Sequence, residues 1–413
     1  MNLIKTSFYT SISTALSFVS GFIVVKVVAV KIGPKGIAFV GQFQNTTAIL
    51  TMLATAAITT GVVKYLAEHK SDPVKRMQII NTAFLIVFFS SIIISIIVMS
   101  TSSYLSEVAF KSRDFWLVYF LFGLFVALIS FNAIFSAILN GLKEIRKYTL
   151  INICNSLVGV SVTVLGAYLF GLLGVLISST ATAIIVFIIN IIIFKKLGIS
   201  WKPDFRLFDK KVVKMLSAFS LMAVVSGFVV PAMQILVRDR IMLQFSATEA
   251  GYWQAVTKIS DYYLGFITSV LAVYYMPRLS EIHIKSELQH EIIKGYKLIL
   301  PIVSIIALLI WIFKGIIIHA IFTPAFLPMK PLFTYQLIGD FFKIGSWLLA
   351  YLMIAKAMTK TYIITEILFS ASYVALSYYF ISQYGIIGAT YSFCINYGIY
   401  WIVMAGIMKN KIL

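Results

Sequence analysis

Long apolar runs separated by brief polar interruptions repeat from one end of the chain to the other. About 20 apolar residues carry a helix across the hydrocarbon core of a bilayer. The pattern predicts twelve such spans, at roughly 8–31, 40–66, 77–101, 114–140, 147–170, 172–194, 213–237, 252–276, 293–321, 331–357, 360–382 and 385–408. The longest connections, around 195–212 and 277–292, have fewer than about twenty residues, too few for an extramembrane domain. The first run is interrupted by Ser11, Ser13, Thr14, Ser17 and Ser20 and is followed by no small-residue cleavage site, so it reads as a retained span.

Six spans, a basic linker and six further spans put the two halves in the same orientation. This predicts an all-α integral membrane fold of twelve transmembrane helices in two six-helix lobes, 1–194 and 213–413, with a cytoplasmic linker at 195–212. A pseudo-two-fold axis normal to the membrane would relate the lobes. VSGFIV from Val19 to Val24 and VSGFVV from Val225 to Val230 open the two halves, although composition alone also produces short apolar matches. The linker GISWKPDFRLFDKK (198–211) and the segment 279–297 read as amphipathic stretches on the cytoplasmic surface. Pro231 and Pro301 each remove a backbone hydrogen bond inside a span, either to let a lobe open or as a static bend.

Composition excludes a water-soluble fold: 60% of residues are hydrophobic and only 12% are charged, too few to cover an aqueous surface. The net charge of +19 could suggest nucleic acid, but the basic residues gather on one side of the predicted spans. With a cytoplasmic N-terminus, 23 of the 34 Lys and Arg fall in cytoplasmic segments, among them Lys64, Lys70, Lys75, Arg76, Lys195, Lys196, Lys409 and Lys411. Eight, such as Lys35 and Arg113, fall in opposite loops, and Lys26, Lys258 and Lys343 lie within spans. This bias predicts a multi-pass membrane protein with both termini cytoplasmic, facing anionic lipid and not nucleic acid. Cys154 and Cys394 sit in separate spans and read as packing thiols; His69, His283, His290 and His319 are scattered, so neither a metal nor another cofactor is implied.

The intramembrane charges carry the candidate chemistry, because each costs about 2.5–3.5 kcal/mol to place at the bilayer centre. Gln254, Lys258 and Asp261 follow the spacing i, i+4, i+7, and Gln336, Asp340 and Lys343 repeat it. Such faces line a cavity or meet another polar helix; alternatively each is a self-neutralising ion pair that registers helix packing. One step along, the first stripe has Gly265 and the second Trp347. Gln44, Thr47, Thr51, Thr55 and Thr59 form an uncharged stripe in span two, suited either to water or sugar or to helix packing. Lys26 lies near the outer end of span one, where it flanks a cleft or snorkels to the interface. Glu366 is a candidate proton or cation carrier, as are Asp261 and Asp340. Arg238, Asp239 and Arg240 read as an interface anchor at the outer end of span seven. Lysines beside carboxylates and rings such as Trp253, Tyr262, Tyr263 and Trp347 suit an anionic headgroup attached to sugar.

With those residues in place, the chain resembles, over essentially its whole length, the lipid III flippase and O-antigen translocase family. These are the Wzx-type members of the multidrug/oligosaccharidyl-lipid/polysaccharide exporter superfamily. The stretches that carry the likeness are KVVAVKIGPKGIAF (26–39), TTGVVKYLAEH (59–69), GYWQAVTKISDYYLGFIT (251–268), LIGDFFKIGSWLLAYLMIAKA (337–357) and YIITEI (362–367). The resemblance implies Lys26, Gly33, Pro34, Gly61, Lys64, Tyr65, Trp253, Gln254, Ser260, Asp261, Asp340, Lys343, Lys356 and Glu366 as family-pattern positions, with Lys258 a departure. It implies passage of an undecaprenyl-pyrophosphate-linked oligosaccharide from the cytoplasmic to the periplasmic leaflet by alternating access. A monomer, working beside a polysaccharide polymerase complex, would be the functional unit. Three rivals remain: a drug or sodium antiporter on the same fold, which would want an acid-rich cavity; a membrane-embedded glycan polymerase or ligase, which would want a long outer loop; and a structural subunit, which leaves the charges unexplained.

Overall fold

A computed structural model describes residues 3–198, 204–271, 275–282, 284–356 and 358–411, with side chains over these ranges except at 3–11, 218–222, 270, 276–277 and 410–411. Linker positions 199–203, including Lys202, and His283 therefore lie outside the described residues, as do the side chains of Ser11 and Lys411. The described chain is all-helical and has no strand.

The helices are α1 (Leu3–Lys31), α2 (Pro34–Ala54), α3 (Thr59–Glu68), α4 (Pro73–Ser100), α5 (Ser102–Phe110), α6 (Trp116–Gly141), α7 (Ile145–Lys196), α8 (Lys210–Gln244), α9 (Ala247–Val270), α10 (Met276–Glu281), α11 (Lys285–Ile321), α12 (Leu332–Ala355), α13 (Thr359–Tyr384) and α14 (Ile387–Lys411). Among the described residues, α1, α4, α6, α7, α11, α12, α13 and α14 are each long and apolar enough to cross a membrane. The bent pair α2 and α3, at 49° to one another, together make a further candidate. The polar face of Gln254, Lys258 and Asp261 lowers the hydropathy of α9. On α11, Ile302, Ile305, Leu308, Ile312 and Ile316 are exposed at helical spacing, the mark of a lipid-facing stripe.

Three connections differ from the sequence reading. Span two is broken because Ala56 and Ala57 both take positive φ, which interrupts the helical hydrogen bonding between α2 and α3. The loop after α4 holds the short helix α5, ended by Lys111 at φ 57°. The amphipathic segment expected at 279–297 is not a separate surface helix: from Lys285 it runs without interruption into span nine as α11, and its Leu288 and Ile292 are buried. The described part of the linker is pinned to α4, where the Asp204 N–H donates to Asn81 Oδ1 (2.7 Å) and Lys75 pairs with Asp209 (3.3 Å).

The chain packs into two compact units, Met1–Ile32 with Gln42–Pro231, and Gly33–Gly41 with Ala232–Leu413. It leaves the first at Gly33, whose φ of 85° turns α1 into α2, and again at Pro231, inside α8. The core of the first unit is formed by α3, α4, α6 and α7 with the start of α8; that of the second by α9, α11, α12 and α14.

One motif recurs within each unit. In the first, α7 reverses at Gly171 (φ 58°), Gly174 meets the backbone of Gly166, and Thr163 and Ser178 share a hydrogen bond of 2.9 Å. In the second, α13 ends at Gly385 (φ 68°), Gly388 meets the backbone of Phe380, and Ser377 and Ser392 share one of 2.8 Å. Corresponding residues are all 214 positions apart, a different offset from the 206 between the apolar matches at Val19 and Val225.

Candidate functional site

The site in the second unit is built on two helices. Ser246 caps α9 by accepting from the N–H of Glu249 (3.1 Å), which starts the helix that carries Trp253, Gln254, Lys258, Ser260, Asp261, Tyr262 and Tyr263. Alongside it, α12 presents Gln336, Asp340, Lys343 and Trp347. Gly339 lets α14 approach α12 closely, since a Cβ there would fall 2.3 Å from the Phe393 ring.

Asp340 is completely buried, yet its carboxylate is well supplied with donors. Ser260 Oγ (2.6 Å) and the Tyr263 hydroxyl (2.7 Å) both donate to Oδ2, and Gln336 Nε2 donates to Oδ1 at 3.2 Å. The bonds from Ser260 and Tyr263 join α9 to α12, and the three together satisfy the charge without a counterion at contact distance. Lys343 turns elsewhere. Its ammonium stands 4.9 Å from the Trp347 ring centroid and 5.6 Å from those of Phe393 and Tyr397, in an aromatic box shared by α12 and α14. Glu366 of α13 is half-buried and within electrostatic range of Lys343.

The second stripe has different partners. Gln254 is buried, and its Oε1 accepts from Arg238 Nε (3.0 Å) and from the same guanidinium's terminal nitrogen. Arg238 is itself fully buried and lies 5.6 Å from the Trp253 ring centroid. It therefore does not behave as an interfacial anchor. Lys258 and Asp261 are half-buried and electrostatically coupled. Among the described residues, neither Lys258 and Asp261 nor Asp340 and Lys343 closes to a salt bridge within 4.0 Å, so neither stripe is a self-neutralising pair in this geometry.

Six of the sequence-predicted binding residues, Trp253, Gln254, Lys258, Asp261, Asp340 and Lys343, together with Glu366, thus belong to one unit; Lys26, half-buried on α1, belongs to the other. Phe393 and Tyr397 complete the Lys343 box and carried no distinguishing sequence signal. Other family-pattern residues are structural. Gly61 seats α3 against the backbone of Leu216, and Lys356 donates to the carbonyl of Ile282.

A charged, donor-rich helical face inside an all-helical membrane protein narrows the comparison with known proteins. Residues 3–283 match the model of the family described as polysaccharide biosynthesis protein. The chain belongs to this family. It is 29% identical over 411 residues to the lipid III flippases of Escherichia coli (strain K12) and of Shigella flexneri, with 98% of each chain covered. Its fold is shared with a solved transporter: the inward-facing structure of a multidrug resistance MATE family transporter of the MOP superfamily superposes with a TM-score of 0.80 at 13% identity, over 98% of both chains. Low identity with close superposition shows a shared fold and nothing of the site's side chains.

Proposed function

We propose that this polysaccharide biosynthesis protein is a flippase for an undecaprenyl-pyrophosphate-linked oligosaccharide, an O-antigen-like or enterobacterial-common-antigen-like repeat unit. It moves the headgroup from the cytoplasmic to the periplasmic leaflet by alternating access. The observation that carries this reading is the disposition of Lys343. Its ammonium is not consumed by Asp340, whose carboxylate is already satisfied by three side-chain donors, and it rests against rings. A cation held by an aromatic box, on the same unit as half-buried Lys258, offers a phosphate group a place to bind, and the rings offer a sugar face an apolar wall. Full-length similarity to lipid III flippases supports the same substrate class. Lys26, Lys258 and Lys343 are the proposed headgroup ligands, with Trp253, Gln254, Asp261 and Asp340 shaping the site.

Twelve crossings are proposed, formed by α1, α2 with α3, α4, α6, the two arms of α7, α8, α9, α11, α12, α13 and α14, in two six-helix lobes. Glu366, within range of Lys343, is the proposed ion-coupling group, with Asp261 second; Asp340 is engaged in holding α9 to α12. The test is charge reversal. Lys343→Glu should abolish surface polysaccharide and cause prenyl-linked glycan to accumulate on the cytoplasmic leaflet, at unchanged protein level. Unaltered polysaccharide in Lys343→Glu and Lys26→Glu cells would overturn the reading.

A further inference from the structure

The first unit holds a cavity of about 410 Å³ with no ionisable residue in its wall. Its polar lining comes from three helices: Gln44, Thr47 and Thr51 on α2, Asn132 on α6, and Asn155 and Ser179 on the two arms of α7. Phe122 and Ile129 supply an apolar floor. We propose that this cavity is a subsite for a neutral pyranose, the class of group that the oligosaccharide of the flippase reading contains, and the proposal rests on that reading for its biological role.

The hydrogen-bonding state of the wall favours a hydroxylated ligand. Thr47 spends its proton on the carbonyl of Phe43 (2.8 Å), and Ser179 spends its own on that of Leu176 (3.3 Å), so both hydroxyls turn lone pairs to a ligand. Asn132 is fixed at both ends of its amide: Nδ2 donates to the Ala183 carbonyl (2.8 Å) and Oδ1 accepts from fully buried Asn190 (2.9 Å). One N–H of Asn132 remains as a donor in a set orientation. Gln44 and Asn155 are exposed and each adds an adaptable donor and acceptor. Fixed acceptors, a fixed donor and mobile amides over an apolar floor match the hydroxyls and C–H face of a sugar ring. A phosphate would meet no cation here and an organic cation no carboxylate, so either would lose its hydration without replacement. The volume lies within the range of about 300–1,000 Å³ usual for small-molecule pockets.

The test uses the full-length protein in nanodiscs and saturation-transfer difference NMR with the methyl glycosides of glucose, galactose, mannose and N-acetylglucosamine. At least one glycoside should receive saturation at its ring protons. The signal should reflect roughly tenfold weaker binding in a Gln44→Leu/Asn155→Leu variant, for the loss of two hydrogen-bonding groups. Thr51→Val, a near-isosteric change, should also weaken it, which guards against misfolding of the double variant. No saturation of any glycoside, or equal saturation in both variants, overturns the subsite. Glycan accumulation in Lys343→Glu cells reads the flippase assignment separately: accumulation without glycoside binding sinks the subsite alone, and glycoside binding without accumulation sinks the flippase assignment alone.

Discussion

Asp340 accepts from three side chains, and each donor can be removed singly. Tyr263→Phe keeps the ring and deletes only the proton donated to Oδ2, so it should cost about 1.5–3 kcal/mol, the usual worth of a hydrogen bond to a charged group. Ser260→Ala should cost a similar amount, as measured by unfolding of the purified protein in one detergent. A Tyr263→Phe variant as stable as the parent would show that the bond does not support the fold. Outside the spans, Asp209 is held below the usual carboxylate range, first by the backbone N–H of Lys211 and then by Lys75. A depressed folded pKa stabilises above the unfolded value, near 4, and the benefit is lost as pH falls through the folded value. Asp209→Asn should therefore be less stable than the parent at neutral pH, and the difference should close below about pH 4. Asp340 and Lys343 were legible in the sequence because charges are rare in apolar runs. Phe393 and Tyr397 were not, because among 33 Phe and 22 Tyr an aromatic residue carries no signal. The partner of each polar residue was also hidden: spacing places Gln254 on the face of Lys258, but only tertiary packing brings Arg238 to it.

Two alanines in succession at φ 49° and 51° are an unfavourable way to break a span. Each forces its Cβ toward the following carbonyl, at about 1–2 kcal/mol per residue, a cost glycine does not bear. Ala56→Gly is therefore expected to raise the thermal midpoint, and a lowered midpoint would show that the left-handed pair is not strained. The recurring hairpins make the opposite prediction. A Cβ on Gly174 would lie 2.0 Å from the Gly166 carbonyl oxygen and one on Gly388 2.1 Å from that of Phe380, so Gly174→Ala and Gly388→Ala should both destabilise. Gly159→Ala, whose Cβ meets only Thr182 at 3.8 Å, is the control that should be tolerated. If all three behave alike, close helix approach is not what these glycines provide. Periodicity showed where helices exist, since that depends on local apolar spacing. It did not show the break at Ala56, the helix α5 or the fusion of an amphipathic segment into α11, because those depend on backbone dihedrals and on which residues find burial.

At the scale of the whole molecule, charge distribution should decide orientation. Twelve proposed crossings return the chain to its starting side, and by sequence position 23 of the 34 basic residues fall on that side against eight on the other, one of which, Arg238, is buried. Basic residues flanking spans resist translocation, so the richer side should be cytoplasmic. Lys35 and Lys70, both exposed, stand on opposite sides of the second crossing in this arrangement. With Cys154 and Cys394 replaced by serine, a membrane-impermeant maleimide applied to spheroplasts should label Lys35→Cys and spare Lys70→Cys until the membrane is opened. A fluorescent reporter that folds only in the cytoplasm should be bright at the C-terminus, since the count is even. Labelling of both sites in sealed spheroplasts, or of Lys70→Cys alone, would invert or break the topology. It would also remove the support for loading the headgroup at the cytoplasmic leaflet, because the proposed direction of transport rests on this orientation.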